Sequence, residues 1–150
     1  MLRNLFRRLR HIKAELRELV DAYATLTDEK KITEQMMLFT PDVDFKVYMG
    51  GQLVSDVKGI VQLEKEFNGR VSLVKRYLTL NGQHSVSMEG DVPSGVVFSQ
   101  IKMLREQDGQ EVLTDYSVKY TDTYVRGNGT WRIQSRASDY LFIESRVLQA

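Results

Sequence analysis

The 150-residue chain has no cysteine, two histidines and two prolines. Without cysteine it can form no disulfide, offers no thiolate nucleophile, and can hold neither an iron-sulfur cluster nor a cysteine-bound zinc; this fits a reducing compartment, and the expected location is the cytoplasm. His11 and His84 lie far apart with no partner at ligand spacing, and the carboxylates show no metal-binding pattern, so no metal is expected. Phosphate-binding glycine loops, dinucleotide fingerprints and Ser-His-Asp arrangements are missing as well, and no cofactor is expected. No apolar run approaches the roughly twenty residues of a membrane span, and no signal-peptide pattern is present. Charge of one sign is lacking too. Lys and Arg number 21 against 20 Asp and Glu, a net charge of +1, and no basic motif is interleaved with aromatics, so no nucleic-acid partner is expected.

What remains is 42% hydrophobic, enough for one well-buried core and too little chain for two ordinary domains, so residues 1–150 read as a single domain. Its start is locally basic. Arg3, Arg7, Arg8, Arg10, Lys13 and Arg17 accompany an apolar stripe of Leu5, Leu9, Ile12, Leu16 and Leu19 at helical spacing. Such a helix suits a membrane surface or a transit segment. The stripe also runs on through Val20 and Tyr23, which reads as one helix packed on the domain with its arginines in solvent and residues 1–11 as a basic extension. A second helix is expected from about Asp28 to Phe39, capped by Thr27 or Asp28 and stopped by Pro41, and a third where Ile60, Leu63 and Phe67 follow Gly59.

Strands fill the rest. Val43 to Tyr48 alternates before a Gly50-Gly51 turn into Gln52 to Ser55; further strands are expected near 75–81, 85–89, 96–105, 111–125 and 130–138, with turns at Gly90-Asp91, Asp108-Gly109 and Asn128-Gly129. Helices at one end and consecutive hairpins at the other give an α+β fold, a curved antiparallel sheet with about three helices on one face. In Tyr120 to Arg136 (YTDTYVRGNGTWRIQSR), Tyr120, Asp122 and Tyr124 share one face of a strand. Asn128-Gly129 turns the chain, and Trp131 and Ile133 share a face of the next strand.

This closing hairpin, G-x-W-x-I with an arginine after it, resembles the end of SnoaL-like domains of the nuclear transport factor 2-like superfamily, which includes scytalone dehydratase, ketosteroid isomerase and polyketide cyclases. The element order is similar from about Ile12 to Leu148. The resemblance implies a cone-shaped cavity, plugged at its narrow end, that takes a small apolar or aromatic ligand, and a homodimer formed through the outer sheet faces. It also implies a tyrosine late in the first helix and an acid at the next, which Tyr23 and Asp28 match: the hydroxyl would polarise a carbonyl and the carboxylate would act as base or orient a partner. Read without it, Tyr23 is core and Asp28 a helix cap. The family's general-base histidine is absent, and Thr79 stands in its place; His84, nearby, reads as a rim or loop residue.

Proton transfer would then fall to Asp28 or Asp122. If Tyr120 and Tyr124 look into the cavity so does Asp122; if that face is the outer one, Asp122 pairs with a lysine or arginine across the strand. Arg136 matches the family's arginine that binds a polar ligand group, yet strict alternation sets it opposite Trp131 unless a bulge intervenes. Tyr48, Tyr77, Phe98, Met103 and Tyr116 are further candidate lining residues, as is Tyr120. Three functions follow: a cofactor-free dehydratase, isomerase or cyclase acting on a small cyclic or polyketide-like substrate; a non-catalytic ligand-binding domain; and a structural subunit.

Overall fold

The computed structural model describes residues 1–149. Its first element, α1 (Leu2–Asp28), is a single helix of 27 residues, about 40 Å long at 1.5 Å per residue. Ile12, Leu16, Leu19, Val20 and Ala24 are its buried side chains, so the apolar stripe packs only from Ile12 onward. Ahead of it Leu5 and Phe6 are 54% and 56% exposed, which departs from the expectation that the stripe packs from Leu5. The helix ends where Lys30 takes a φ of +58° and the Lys31 amide reaches back to the Leu26 carbonyl. That six-to-one hydrogen bond over a left-handed residue closes the helix, usually on glycine.

Because Lys30 breaks the chain, the second helix is shorter than expected: α2 spans Ile32–Met36, and Phe39 already belongs to β1 (Phe39–Met49). Pro41 does not end a helix. It lies within β1, exposed, where the pairing lapses between Phe39 and Asp44, as a residue with no amide hydrogen requires. The chain turns back into β2 (Gln52–Lys58), crosses through α3 (Ile60–Val71), and runs β3 (Arg76–Ser87), β4 (Ser94–Gln107), β5 (Gln110–Gly127) and β6 (Thr130–Val147) as successive hairpins. The turns at Asp108-Gly109 and Asn128-Gly129 have φ between +54° and +78° at both central residues, the mirror-image turn whose twist matches the flanking strands.

The six strands lie in the order β2-β1-β6-β5-β4-β3. All neighbours are antiparallel except β1 and β6, which run parallel, a pairing between strands far apart in sequence that the crossover through α3 permits. The strands expected at 75–81 and 85–89 are one strand, β3, with an irregularity between Asn81 and His84 rather than a turn. β6 in turn continues well past Ser138. Two irregularities interrupt its pairing with β5: Thr123 pairs with Ser135 but Tyr124 with Ile133, and Ser117 with Phe142 but Val118 with Tyr140. Gln134 and Leu141 are therefore the extra residues of β-bulges.

The helices cover one face of the bent sheet. Against them β5 turns Val118, Tyr120, Asp122 and Tyr124, all nearly inaccessible to solvent. Leu16, Val20, Phe39, Val43, Phe45, Leu63, Phe67 and Ile133 complete the core. Among the described residues no helix is long and apolar enough to cross a membrane.

Candidate functional site

A cavity of about 380 Å³ opens between the helices and the sheet, within the size range of small-molecule sites. Each layer lends residues to it: Tyr23 and Thr27 from α1, Gln35 from α2, Phe67 and Arg70 from α3, Val47 from β1, Ser55 from β2, and Tyr77, Met103, Tyr116 and Tyr140 among others from the long strands. Five tyrosines stand in its wall: Tyr23, Tyr77, Tyr116, Tyr120 and Tyr140. Burial raises the pKa of each; that of Tyr77 is pushed up to about 12, further helped by Tyr116 beside it. All five stay protonated at neutral pH and can donate hydrogen bonds. Tyr23 meets Tyr120, Phe39 and Phe67 edge to face, and Tyr116 meets Tyr140 in the same way.

Behind Tyr23 and Tyr120 lies a buried ion pair. Arg136 donates from Nε to Asp122 Oδ1 at 2.7 Å and from Nη2 to Oδ2 at 2.8 Å, and Tyr124 donates its hydroxyl to the same Oδ2 at 2.9 Å. The guanidinium carbon sits 4.4 Å from the centre of the Tyr23 ring and 4.0 Å from that of Tyr120, close enough for strong cation–π attraction. Burial alone would lower the Arg136 pKa; the charge and hydrogen bonds of Asp122 outweigh it, and the guanidinium is held firmly charged. Its Nη1 is buried with no partner among the described residues.

The Gln134 bulge makes this pair. Ile133 is buried, and in unbroken alternation Arg136, three positions on, would face away from the core; the bulge returns it to the inward side, opposite Asp122. Trp131 points to the same side, donating from Nε1 to Glu15 on α1 at 2.7 Å. Asp122 therefore faces inward and pairs with an arginine across the strand, joining what the sequence left as two alternatives. Neither Asp122 nor Arg136 lines the cavity: they back its wall.

Asp28 is also set back. Its Oδ1 accepts the Thr79 hydroxyl at 2.7 Å and its Oδ2 the Thr79 amide at 3.0 Å, so Thr79 stands between the carboxylate and the cavity that Thr79 lines. His84 lies on β3 and meets the Tyr124 hydroxyl through Nε2 at 3.1 Å, again outside the cavity. Burial lowers its pKa, against the pull of Asp122. Gly95 makes room for this contact, since a Cβ there would come within 2.7 Å of the Tyr124 hydroxyl and 3.0 Å of His84 Nε2.

Two expected lining residues lie elsewhere. Tyr48 alternates with the buried Val47 and borders a shallow depression on the other face of the sheet with Lys119 and Thr121, and Phe98, between the buried Val97 and Ser99, is 41% exposed on that same outer face. Tyr77, Met103, Tyr116 and Tyr120 do line the cavity. The sequence reading missed Tyr140, Gln35, Arg70 and Arg105. Tyr140 continues the alternation of Arg136 and Ser138, and Arg105 that of Ile101 and Met103, so both could have been found by extending the strands. Gln35 is fully buried; its amide nitrogen donates to the Tyr23 carbonyl and to Thr27, and its Oε1 has no partner. Among the described residues no group of carboxylates and histidines is placed to hold a metal.

An open, bent six-stranded sheet with helices over one face is the nuclear transport factor 2-like form of α+β domain. The chain belongs to the SnoaL-like domain family, whose model matches residues 9–137. No curated protein matches the sequence. Among solved structures, a hexachlorocyclohexane dehydrochlorinase is similar with a TM-score of 0.76 at 14% identity, covering 95% of this chain and 92% of that one. A candidate scytalone dehydratase from Novosphingobium aromaticivorans gives 0.75 at 15% identity over 100% of this chain and 95% of that one. The beta subunit of a candidate aromatic-ring-hydroxylating dioxygenase from the same organism gives 0.74 at 20% identity over 88% and 90%. At these identities the likeness is one of fold.

Proposed function

We propose that this SnoaL-like domain binds a small ring-shaped ligand in its cavity and holds it by aromatic contact and tyrosine hydrogen bonds, with Tyr23, Tyr77, Tyr116 and Tyr120 as ligand-binding residues and Arg136 supporting two of them from behind. The observation that carries this reading is the inventory of the wall: five protonated tyrosines and two arginines, with no aspartate, glutamate or histidine among the residues that line it. Removing a proton from a bound substrate needs a base within about 3 Å of it. Asp122 is spent on Arg136 and Tyr124, and Asp28 is screened by Thr79. The free Oε1 of Gln35 adds one acceptor for a hydroxyl or amide of the ligand.

A second reading, a cofactor-free dehydratase or isomerase, rests on the Asp28–Thr79 contact. A rotation of the Thr79 hydroxyl would open Asp28 to a substrate whose carbonyl Tyr23 polarises. One experiment separates the two. Aromatic and polyketide-like compounds are screened by thermal shift, and any ligand found is followed by NMR in D₂O for exchange of the protons next to its carbonyl. Binding without exchange or turnover is the expected result; exchange that is lost in Asp28→Asn would make the protein an enzyme instead. The exposed Leu78, Leu80, Phe98 and Phe142 of the outer sheet face support a homodimer through that face, which a monomeric mass in dilute solution would refute.

A further inference from the structure

We propose that the ligand of this cavity is an aromatic anion, a ring compound bearing a carboxylate or comparable anionic oxygen, held by Arg105 with Arg70. The inference rests on the reading of the cavity as a ligand-binding site and adds the charge of what fills it.

Arg70 and Arg105 are the charged side chains among the lining residues, and both are positive. A carboxylate entering the cavity therefore meets no like charge on its wall. Arg105 is half-buried at the end of β4, inward with Ile101 and Met103; its Nε is buried without a partner, and it forms no ion pair among the described residues. A buried guanidinium nitrogen left without an acceptor is costly, and an anionic oxygen from a ligand would satisfy it with a charge-assisted hydrogen bond. Arg70 is committed only loosely, with one contact of 3.5 Å to the part-exposed Glu66. Its positive charge extends over the cavity, opposing the rise in pKa of Tyr23, Tyr77, Tyr116 and Tyr140.

The buried arginine works differently. Asp122 neutralises Arg136 with two hydrogen bonds and both rings cover it, so it presents no net charge to the cavity. The positive field inside comes from Arg70 and Arg105. The protonated tyrosines reinforce the preference, since a hydroxyl that donates stabilises an anionic oxygen more than a neutral one. An amine or other cation would face two like charges and no compensating carboxylate.

The test uses matched compounds that differ in charge and little else. Naphthalene-2-carboxylate and naphthalene-2-carboxamide are titrated into the full chain by calorimetry at neutral pH, in low and in high sodium chloride, and then into Arg105→Gln and Arg70→Gln. The carboxylate is expected to bind at least tenfold more tightly than the amide, with an advantage that shrinks in high salt and falls by about tenfold in Arg105→Gln. Amide binding as tight as that of the carboxylate would overturn the anionic preference while leaving the cavity as a ligand site. Binding of neither compound, nor of larger fused-ring pairs, would count against the cavity reading itself. If a variant proves unstable, the wild-type comparison of carboxylate with amide decides the matter.

Discussion

Replacing Asp122 by asparagine keeps the shape of the side chain and removes the charge on which Arg136 depends. Three hydrogen bonds of 2.7 to 2.9 Å converge on this carboxylate, and the Arg136 and Asp122 side chains are 1% and 0% exposed. The change would leave a guanidinium in the core with no counter-charge, its Nη1 already lacking a partner. Breaking one side of a buried pair costs about 3–5 kcal/mol, and since asparagine retains one acceptor the loss should fall near the lower value. A domain is stable by only about 5–15 kcal/mol in total. For a chain of this length each kcal/mol corresponds to roughly 3 °C, so Asp122→Asn should lower Tm by about 10 °C. Arg136→Met should cost a similar amount by leaving the carboxylate bare, whereas Asp122→Asn with Arg136→Met should be less destabilised than the sum by about 2 kcal/mol or more. Urea unfolding of the wild type, the two single variants and the double variant gives that coupling directly. Single losses below about 1 kcal/mol that add in the double variant would refute the claim that the pair holds the floor beneath Tyr23 and Tyr120.

Other perturbations test other parts. Gly95→Ala should destabilise by about 1–3 kcal/mol through overpacking, because the new methyl meets the fully buried Tyr124 ring; an unchanged denaturation midpoint would mean that Tyr124 and His84 can move aside. Thr79→Val removes the hydroxyl that Asp28 accepts and should cost about 1 kcal/mol in the same assay, with no gain of activity. Since burial holds the folded pKa of His84 below its unfolded value, the unfolded chain binds the extra proton first. Stability from this group is therefore present above about pH 6.5 and is lost as the pH falls toward the depressed folded value. His84→Gln should flatten that part of the stability-against-pH curve. Trp131, the sole tryptophan, donates to Glu15, so Glu15→Ala should shift its fluorescence emission if that contact keeps the indole seated against α1.

The closing hairpin was the most legible part of the chain because each of its signals is local: strict alternation from Tyr120 to Tyr124, a turn that only a few residues tolerate, and alternation again. What the sequence left open was the side of the sheet each stripe faces. Phe98 is aromatic and strand-borne, like Tyr116, yet its neighbours Val97 and Ser99 take the inward side, a choice made by the helices above and not by Phe98 itself. Tyr48 is turned outward for the same reason. Lys30 ended α1 in a conformation lysine seldom adopts, so no residue type announced it. Arg70 and Arg105 were passed over because a charged residue on a helix or strand is ordinarily solvated, and only the tertiary fold brings the two to one cavity.

Gln134 gives this sheet a sensitivity to counting. Upstream of it β6 directs Trp131 and Ile133 inward on odd numbers; downstream it directs Arg136 and Ser138 inward on even ones. One residue thus resets the parity of the strand. Were it taken into the ladder as an ordinary paired residue, no side chain of the core would change and yet the inner and outer sets would swap over one stretch of the strand. If the hairpin kept its register, Arg136 would be carried to the solvent side and Ser135 would face the carboxylate of Asp122. Substitutions at Gln134 itself should be tolerated, since its contribution is its presence in the count.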